Sequence, residues 1–205
     1  FSGSAVETPD GRHLLMYTGV VGKDPLDCRQ TQCMACGDGL HYKKYESNPV
    51  ITAKQLPEGG SAIDFRDPKI WWDKEEQCYL SVVGNRLSDG SGAVLLFSSS
   101  DGFAWKYVST LDAGRNQLGK MWECPDFFEI NDKALILISA QEMRAKGLKF
   151  HNGNDVFCLV GNYNRKEHKF IRKEVLAVDY GLDFYAPQTV ETPDGRRVMI
   201  AWMQA

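Results

Sequence analysis

Short apolar runs bounded by Gly, Asp, Asn and Pro recur along the whole chain. Leu14-Leu15-Met16-Tyr17, Cys78-Tyr79-Leu80-Ser81-Val82-Val83, Ala134-Leu135-Ile136-Leu137-Ile138 and Val198-Met199-Ile200-Ala201-Trp202 are each four to six residues long. That is strand length, and the Asp-Gly and Asn signals between runs fit hairpin turns. No apolar stripe at helical spacing persists for three turns, so the pattern predicts an all-β chain.

The runs are organised as a repeat. Ser2-Gly3-Ser4-Ala5-Val6-Glu7, Arg66-Asp67-Pro68-Lys69-Ile70-Trp71-Trp72, Glu123-Cys124-Pro125-Asp126-Phe127-Phe128 and Tyr185-Ala186-Pro187-Gln188-Thr189-Val190 each precede a turn and one of the apolar runs. The string Val-Glu-Thr-Pro-Asp-Gly-Arg occurs twice, at 6–12 and 190–196. Ser2 to Arg66 is 64 residues, Arg66 to Glu123 is 57, and Glu123 to Tyr185 is 62. Each unit then holds a second hairpin, as at 93–99 and 105–108 around Ser100-Asp101-Gly102. Four short strands at a fixed long period predict the blades of a β-propeller. The first strand of each blade would line a central channel, bringing Ser2, Asp67, Glu123 and Asp183 together at one end. A two-sheet sandwich with polar strand ends is the competing architecture. Residues 20–31, with Asp24-Pro25, read as a polar loop, and 52–64, with Pro57, Gly59 and Gly60, as a linker.

Two of the motif acids carry candidate chemistry. Glu123 lies between Trp122 and Cys124-Pro125, and apolar flanks would desolvate its carboxyl and raise its pKa toward general-acid duty. Asp67 follows Arg66 and precedes Pro68; the arginine should hold it ionised, and the proline biases it away from helix. Two acids with separated pKa values suit glycoside hydrolysis, with Asp67 as nucleophile on this reading alone. An inverting hydrolase of the same shape and a non-catalytic carbohydrate-binding propeller are the alternatives.

Composition narrows the partners. Of 205 residues 43% are hydrophobic, enough for a substantial core. The net charge is −3, and Lys and Arg are scattered without a basic stripe, which argues against nucleic acid. No apolar run approaches the roughly 20 residues of a membrane span. Aromatic residues make up 11%, many beside motif residues, where ring faces suit sugar stacking. Six cysteines include a lone Cys33-Met34-Ala35-Cys36 with no second ligand pair. Free thiols acting as small core residues are expected, with no metal and no cofactor. Free cysteines and the lack of a visible signal segment favour a cytoplasmic location, with secretion left open by the start at Phe1.

Phe1-Ser2-Gly3-Ser4, Phe65-Arg66-Asp67-Pro68, Trp122-Glu123-Cys124-Pro125, Asp183-Phe184-Tyr185-Ala186-Pro187-Gln188 and Ala201-Trp202-Met203 together closely resemble glycoside hydrolase family 32. Asp38-Gly39-Leu40-His41-Tyr42, Asn48-Pro49-Val50-Ile51 and Asp179-Tyr180-Gly181 add to the likeness, which covers essentially the whole chain. The resemblance implies a five-bladed propeller, usually followed by a β-sandwich, that cleaves terminal β-fructofuranosyl linkages with retention. It implies that Glu123 is the general acid/base. It makes Asp67 a transition-state stabiliser that holds fructose hydroxyls with Arg66, in place of the nucleophile role read from the residues. Phe1 and Ser2 would contact the fructosyl ring, and Tyr185 and Trp202 would line the pocket. The substrate would be sucrose, sucrose 6-phosphate or a fructan.

The family's nucleophile is an Asp in an Asn-Asp-Pro-Asn-Gly string, and no such string occurs in the 205 residues. The chain is therefore expected to be a partial catalytic propeller of three to four blades, without the nucleophile segment or the sandwich. By itself it should not hydrolyse sucrose.

Overall fold

The computed structural model describes residues 1–23 and 28–203, so Asp24-Pro25 of the expected polar loop lies outside the described residues. Fourteen strands form four antiparallel sheets among the described residues. The first holds β1 (Gly3–Glu7), β2 (His13–Val21), β3 (Arg29–Gly37) and β4 (Tyr42–Lys44) in that order. The second holds β5 (Gly60–Asp73), β6 (Cys78–Leu87), β7 (Gly92–Ser99) and β8 (Lys106–Ala113). The third holds β9 (Met121–Ile130), β10 (Lys133–Met143), β11 (Gly153–Asn164) and β12 (Lys169–Ala177). The fourth is the pair β13 (Phe184–Glu191) and β14 (Arg197–Met203). Two 3₁₀ turns, Ala53–Gln55 and Arg165–Glu167, are the helical segments among the described residues.

The expected repeat is the observed one: four-strand meanders in chain order, three complete and one begun. The expected linker is shorter than read, because β5 already starts at Gly60, which pairs with Leu87 ahead of a register break.

The core distinguishes blades from a sandwich. β7 is buried at all eight positions, and its residues alternate between two clusters. Val94 and Leu96 face one cluster with Leu80, Val82, Trp122, Ile136, Phe157 and Leu159. Leu95 and Phe97 face another with Leu14, Met16, Met34, Phe65 and Val83. The second sheet is thus covered on both faces, by the first sheet and by the third. This is serial stacking of sheets, as in a propeller, and not one core between two layers.

The first strands of successive sheets lie side by side and are stitched by side chains, not by a hydrogen-bonded ladder. Ser4 Oγ donates to the Pro68 carbonyl and accepts from Ile70 N, both at 2.8 Å. Asp67 and Asp126 take the next two junctions, accepting from Cys124 N and Thr189 N. Side-chain capture of this kind occupies the edge groups of β5, β9 and β13 that would otherwise be open to stray pairing.

Each of these three strands breaks register at the same place. Asp67, Cys124 and Ala186 have φ of 62°, 47° and 51°, and each is followed by a proline, Pro68, Pro125 or Pro187. The ladders shift between Arg66 and Lys69, opposite Leu137 and Ser139, and between Tyr185 and Gln188. Asp67 is therefore left-handed, outside the right-handed helical region from which Pro68 was expected to bias it. The bulge re-aims the side chains on either side of it, and the strain of a non-glycine left-handed residue is held by the surrounding packing.

Candidate active site

The residues just before the three bulges are Arg66, Glu123 and Tyr185, and they form one hydrogen-bonded row across three sheets. Arg66 Nε donates to Glu123 Oε1 at 2.8 Å, and the Tyr185 hydroxyl donates to Glu123 Oε2 at 2.7 Å. Both carboxylate oxygens of Glu123 are thus occupied by donors from neighbouring blades. Asp67 stands beside them: its Oδ2 accepts from the backbone N–H of Cys124 at 3.1 Å and from the Cys124 thiol at 3.5 Å. The two acids proposed from sequence to share an axis are brought to adjacent strands of one site.

The physical reasons given for them from sequence are corrected. Trp122 does not wall the Glu123 carboxyl. It is fully buried, and its indole nitrogen donates to the Leu118 carbonyl. Alternation along the strand sends it to the core face and sends Glu123 to the other. The neighbours of Glu123 are a guanidinium and a phenol.

Arg66 does not neutralise Asp67. Its guanidinium is engaged with Glu123, with Asp64 at 3.0 Å, with Gln30 at 3.3 Å and with Gln141 at 3.4 Å. Burial pulls the Arg66 pKa down, but Glu123 and Asp64 outweigh it and leave it raised. Asp67 is only 7% exposed. Burial first, and then the Glu123 charge, raise its pKa above the ordinary 3.8, against the opposing pull of the Cys124 N–H and Arg66. The expected direction for Asp67 is reversed. Burial, then Glu123, also raise the Tyr185 phenol, so it stays a donor.

The other expected site residues fall at varying distances from this row. The Ser2 carbonyl accepts from Thr18 N at 3.1 Å, and Thr18 Oγ1 accepts from Asp67 N at 2.9 Å, which links Ser2 to Asp67 through one residue. Phe1 donates its amino group to the Thr18 carbonyl at 3.2 Å and leaves its ring exposed. Trp202 pairs with Tyr185 across β13 and β14, which places it beside the row. Asp183 precedes β13; the residue of that segment which meets Glu123 is Tyr185.

Sequence reasoning missed the supports. Gln30 Oε1 accepts from Phe65 N at 2.8 Å, and Gln32 Nε2 donates to the Phe65 carbonyl at 2.9 Å, which fixes the strand just before Arg66. Gln30, Gln32, Thr18 and Gln141 lie outside the repeated motif and carry no signal in it. Lys69, Asp126 and Gln188 lie inside the motif strings, each directly after its proline, where a polar residue at a repeated place is legible.

A cavity of about 920 Å³ runs along the later halves of the first strands, lined by Ser4, Lys69, Asp126, Gln188 and Arg197 among others. Neither Glu123 nor Asp67 lines it. The candidate site is placed by its groups and not by the cavity: there two acids sit on adjacent strands with a guanidinium and a phenol both donating to one of them.

All six cysteines are free, as expected, but only Cys158 is buried. Burial pushes its thiol up to about 11. Cys33 and Cys36 are three residues apart on β3 and so point to opposite faces: Cys36 packs with the apolar cluster around Met34, while Cys33 faces Gly19 and Thr31. A shared metal is impossible in that geometry.

Relatives match the chain along its length. It is 38% identical to a sucrose-6-phosphate hydrolase of Bacillus subtilis, over 99% of this chain and 42% of that protein. It is 36% identical to a raffinose invertase of Escherichia coli, again over 99% of this chain and 42% of that protein. A solved GH32 beta-fructofuranosidase of Bombyx mori superposes with a TM-score of 0.89 at 37% identity, over 100% of this chain and 43% of that one. A mutant of that enzyme was solved in complex with sucrose. The chain thus spans about two fifths of the length of these relatives. Residues 1–205 match the N-terminal domain of glycosyl hydrolases family 32 throughout, and the chain belongs to that family.

Proposed function

We propose that this chain supplies the acid/base half of a retaining β-fructofuranosidase acting on sucrose, sucrose 6-phosphate or a related fructoside. Glu123 donates its proton to the glycosidic oxygen as the fructosyl C2–O bond breaks, and the alcohol departs. A carboxylate nucleophile bonds to C2; in the family it lies in the Asn-Asp-Pro-Asn-Gly string, which these residues do not contain. Glu123, now ionised, takes a proton from the water whose oxygen bonds to C2, while the C2–carboxylate bond breaks and fructose and the free carboxylate are released. Asp67 accepts hydrogen bonds from fructosyl hydroxyls. Arg66 and Tyr185 orient the Glu123 carboxyl, and Trp202 offers a ring for the sugar to stack on.

The observation that carries this reading is the double capture of Glu123 by Arg66 and Tyr185 beside Asp67. A carboxyl that merely faced solvent would not be gripped from two neighbouring sheets. The named activities of the relatives, and the sucrose seen with the Bombyx mori mutant, support the substrate class. The test is the anomer first released by the full-length protein carrying this chain, followed by NMR during early turnover of sucrose. β-Fructofuranose is expected first. Release of the α-anomer would replace retention with inversion.

A further inference from the structure

Lys69 has no part in the chemistry proposed above, yet its ammonium is engaged by three partners beside it. Its side chain is 19% exposed. Nζ donates to the Thr189 carbonyl at 2.7 Å and to Gln188 Oε1 at 3.2 Å, and it lies 3.6 Å from Asp126 Oδ1. Asp126 is fully buried, and that oxygen has no hydrogen bond of its own, so the ammonium is its only compensation among the described residues. Asp126 Oδ2 accepts from Thr189 N. Lys69 on β5, Asp126 on β9 and Thr189 on β13 therefore lock three blades together.

The lock reaches the site through one amide. Gln188 Nε2 donates to the Cys124 carbonyl at 2.9 Å and to the Pro187 carbonyl at 3.1 Å. An ammonium only donates, so it fixes Oε1 toward itself and turns Nε2 toward the two carbonyls. Cys124 is the left-handed residue directly after Glu123, with φ 47°. Its N–H is held by Asp67 and its carbonyl by Gln188. Pro125 follows and offers no N–H, so these two bonds are what pins the bulge.

We propose that Lys69 is a positioning residue that, by orienting the Gln188 amide, holds the Glu123–Cys124 bulge and keeps the Glu123 carboxyl in its working geometry. This rests on the acid/base reading of Glu123. Lys69 touches neither Glu123 nor Asp67, so it acts through Gln188 and the backbone.

The experiment uses the full-length protein carrying this chain, with Lys69→Met, Gln188→Leu and the double variant assayed on sucrose below their melting temperatures. Each single variant is expected to lower kcat by about ten- to a hundredfold, the scale of a slightly misplaced catalytic group, with KM within about threefold. The double variant should be no worse than the poorer single, because the two residues act in series. A Lys69→Met enzyme that folds and keeps wild-type kcat overturns the proposal, as do losses that multiply in the double. Should Lys69→Met fail to fold, Gln188→Leu decides alone, and wild-type kcat there overturns the proposal. Glu123→Gln, assayed in parallel, separates the two readings. Wild-type turnover in it removes both, whereas lost turnover in it with an intact Lys69→Met removes only the role of Lys69.

Discussion

Asp67 Oδ2 accepts the backbone N–H of Cys124 at 3.1 Å, so the second carboxylate is bound to the strand that carries the first. Burial and the nearby Glu123 charge make ionised Asp67 a burden on the fold, with its pKa raised above 3.8. The folded state then holds the proton more tightly than the unfolded one. Stability from this group is complete below 3.8 and falls as pH rises through the raised value. Asp67→Asn keeps an acceptor for the Cys124 N–H and deletes the charge. The variant is expected to melt above wild type at about pH 7, the advantage shrinking toward about pH 3.5, with turnover lost. Thermal melts across that range check it; a variant that melts lower at neutral pH would contradict the burial argument.

Tyr185→Phe removes only the hydroxyl that holds Glu123 Oε2. A hydrogen bond to a charged group is worth about 1.5–3 kcal/mol, so turnover should fall by roughly ten- to a hundredfold. The melting temperature should move little. Steady-state kinetics on sucrose beside a melt separates the two effects.

Arg66→Leu leaves Glu123 and Asp64 without their shared guanidinium in a site where the arginine side chain is 8% exposed. Removing one partner of a buried ion pair costs about 3–5 kcal/mol. Urea unfolding of the full-length protein is expected to show a loss of that order, along with lost activity.

Gly84 and Gly92 admit the third blade against the second. A Cβ on Gly84 would sit 2.1 Å from the Trp122 carbonyl oxygen, and one on Gly92 would sit 2.2 Å from the Trp122 ring. The Gly84 contact is with backbone, which cannot rotate away. Gly84→Ala should therefore destabilise by about 1–3 kcal/mol or more, as overpacking does, and should disturb the Glu123 strand with it. Urea unfolding of Gly84→Ala against wild type checks it, and undiminished stability would contradict the close approach of Trp122.

The blade plan was legible because it rests on recurring local signals: strand-length runs in all four units, Asp, Asn and Gly turns between them, and a proline at the same place in three of the four motif strands. The site was legible as a set of positions, since Arg66, Glu123 and Tyr185 occupy the same place in successive units. The electrostatics was not. Sequence neighbours Arg66 and Asp67 do not pair, because the bulge between them sends the guanidinium to Glu123, 57 residues away. Trp122 shields the core and not Glu123, because strand neighbours face opposite sides. The Gln30, Gln32 and Gln141 supports come from other strands, and nothing in the motif spacing announces them.

The most direct measurement is turnover and sucrose affinity of Glu123→Gln in the full-length protein carrying this chain. The isosteric amide keeps an oxygen to accept from Arg66, and its NH2 can donate to the Tyr185 oxygen once that hydroxyl turns, but it cannot donate and retake a proton as the carboxyl does. A loss of at least about a hundredfold in kcat, within the range of general acid–base catalysis, with binding nearly intact, is the predicted result. Undiminished kcat would show that the row from Arg66 to Tyr185 grips a carboxyl with no part in the chemistry.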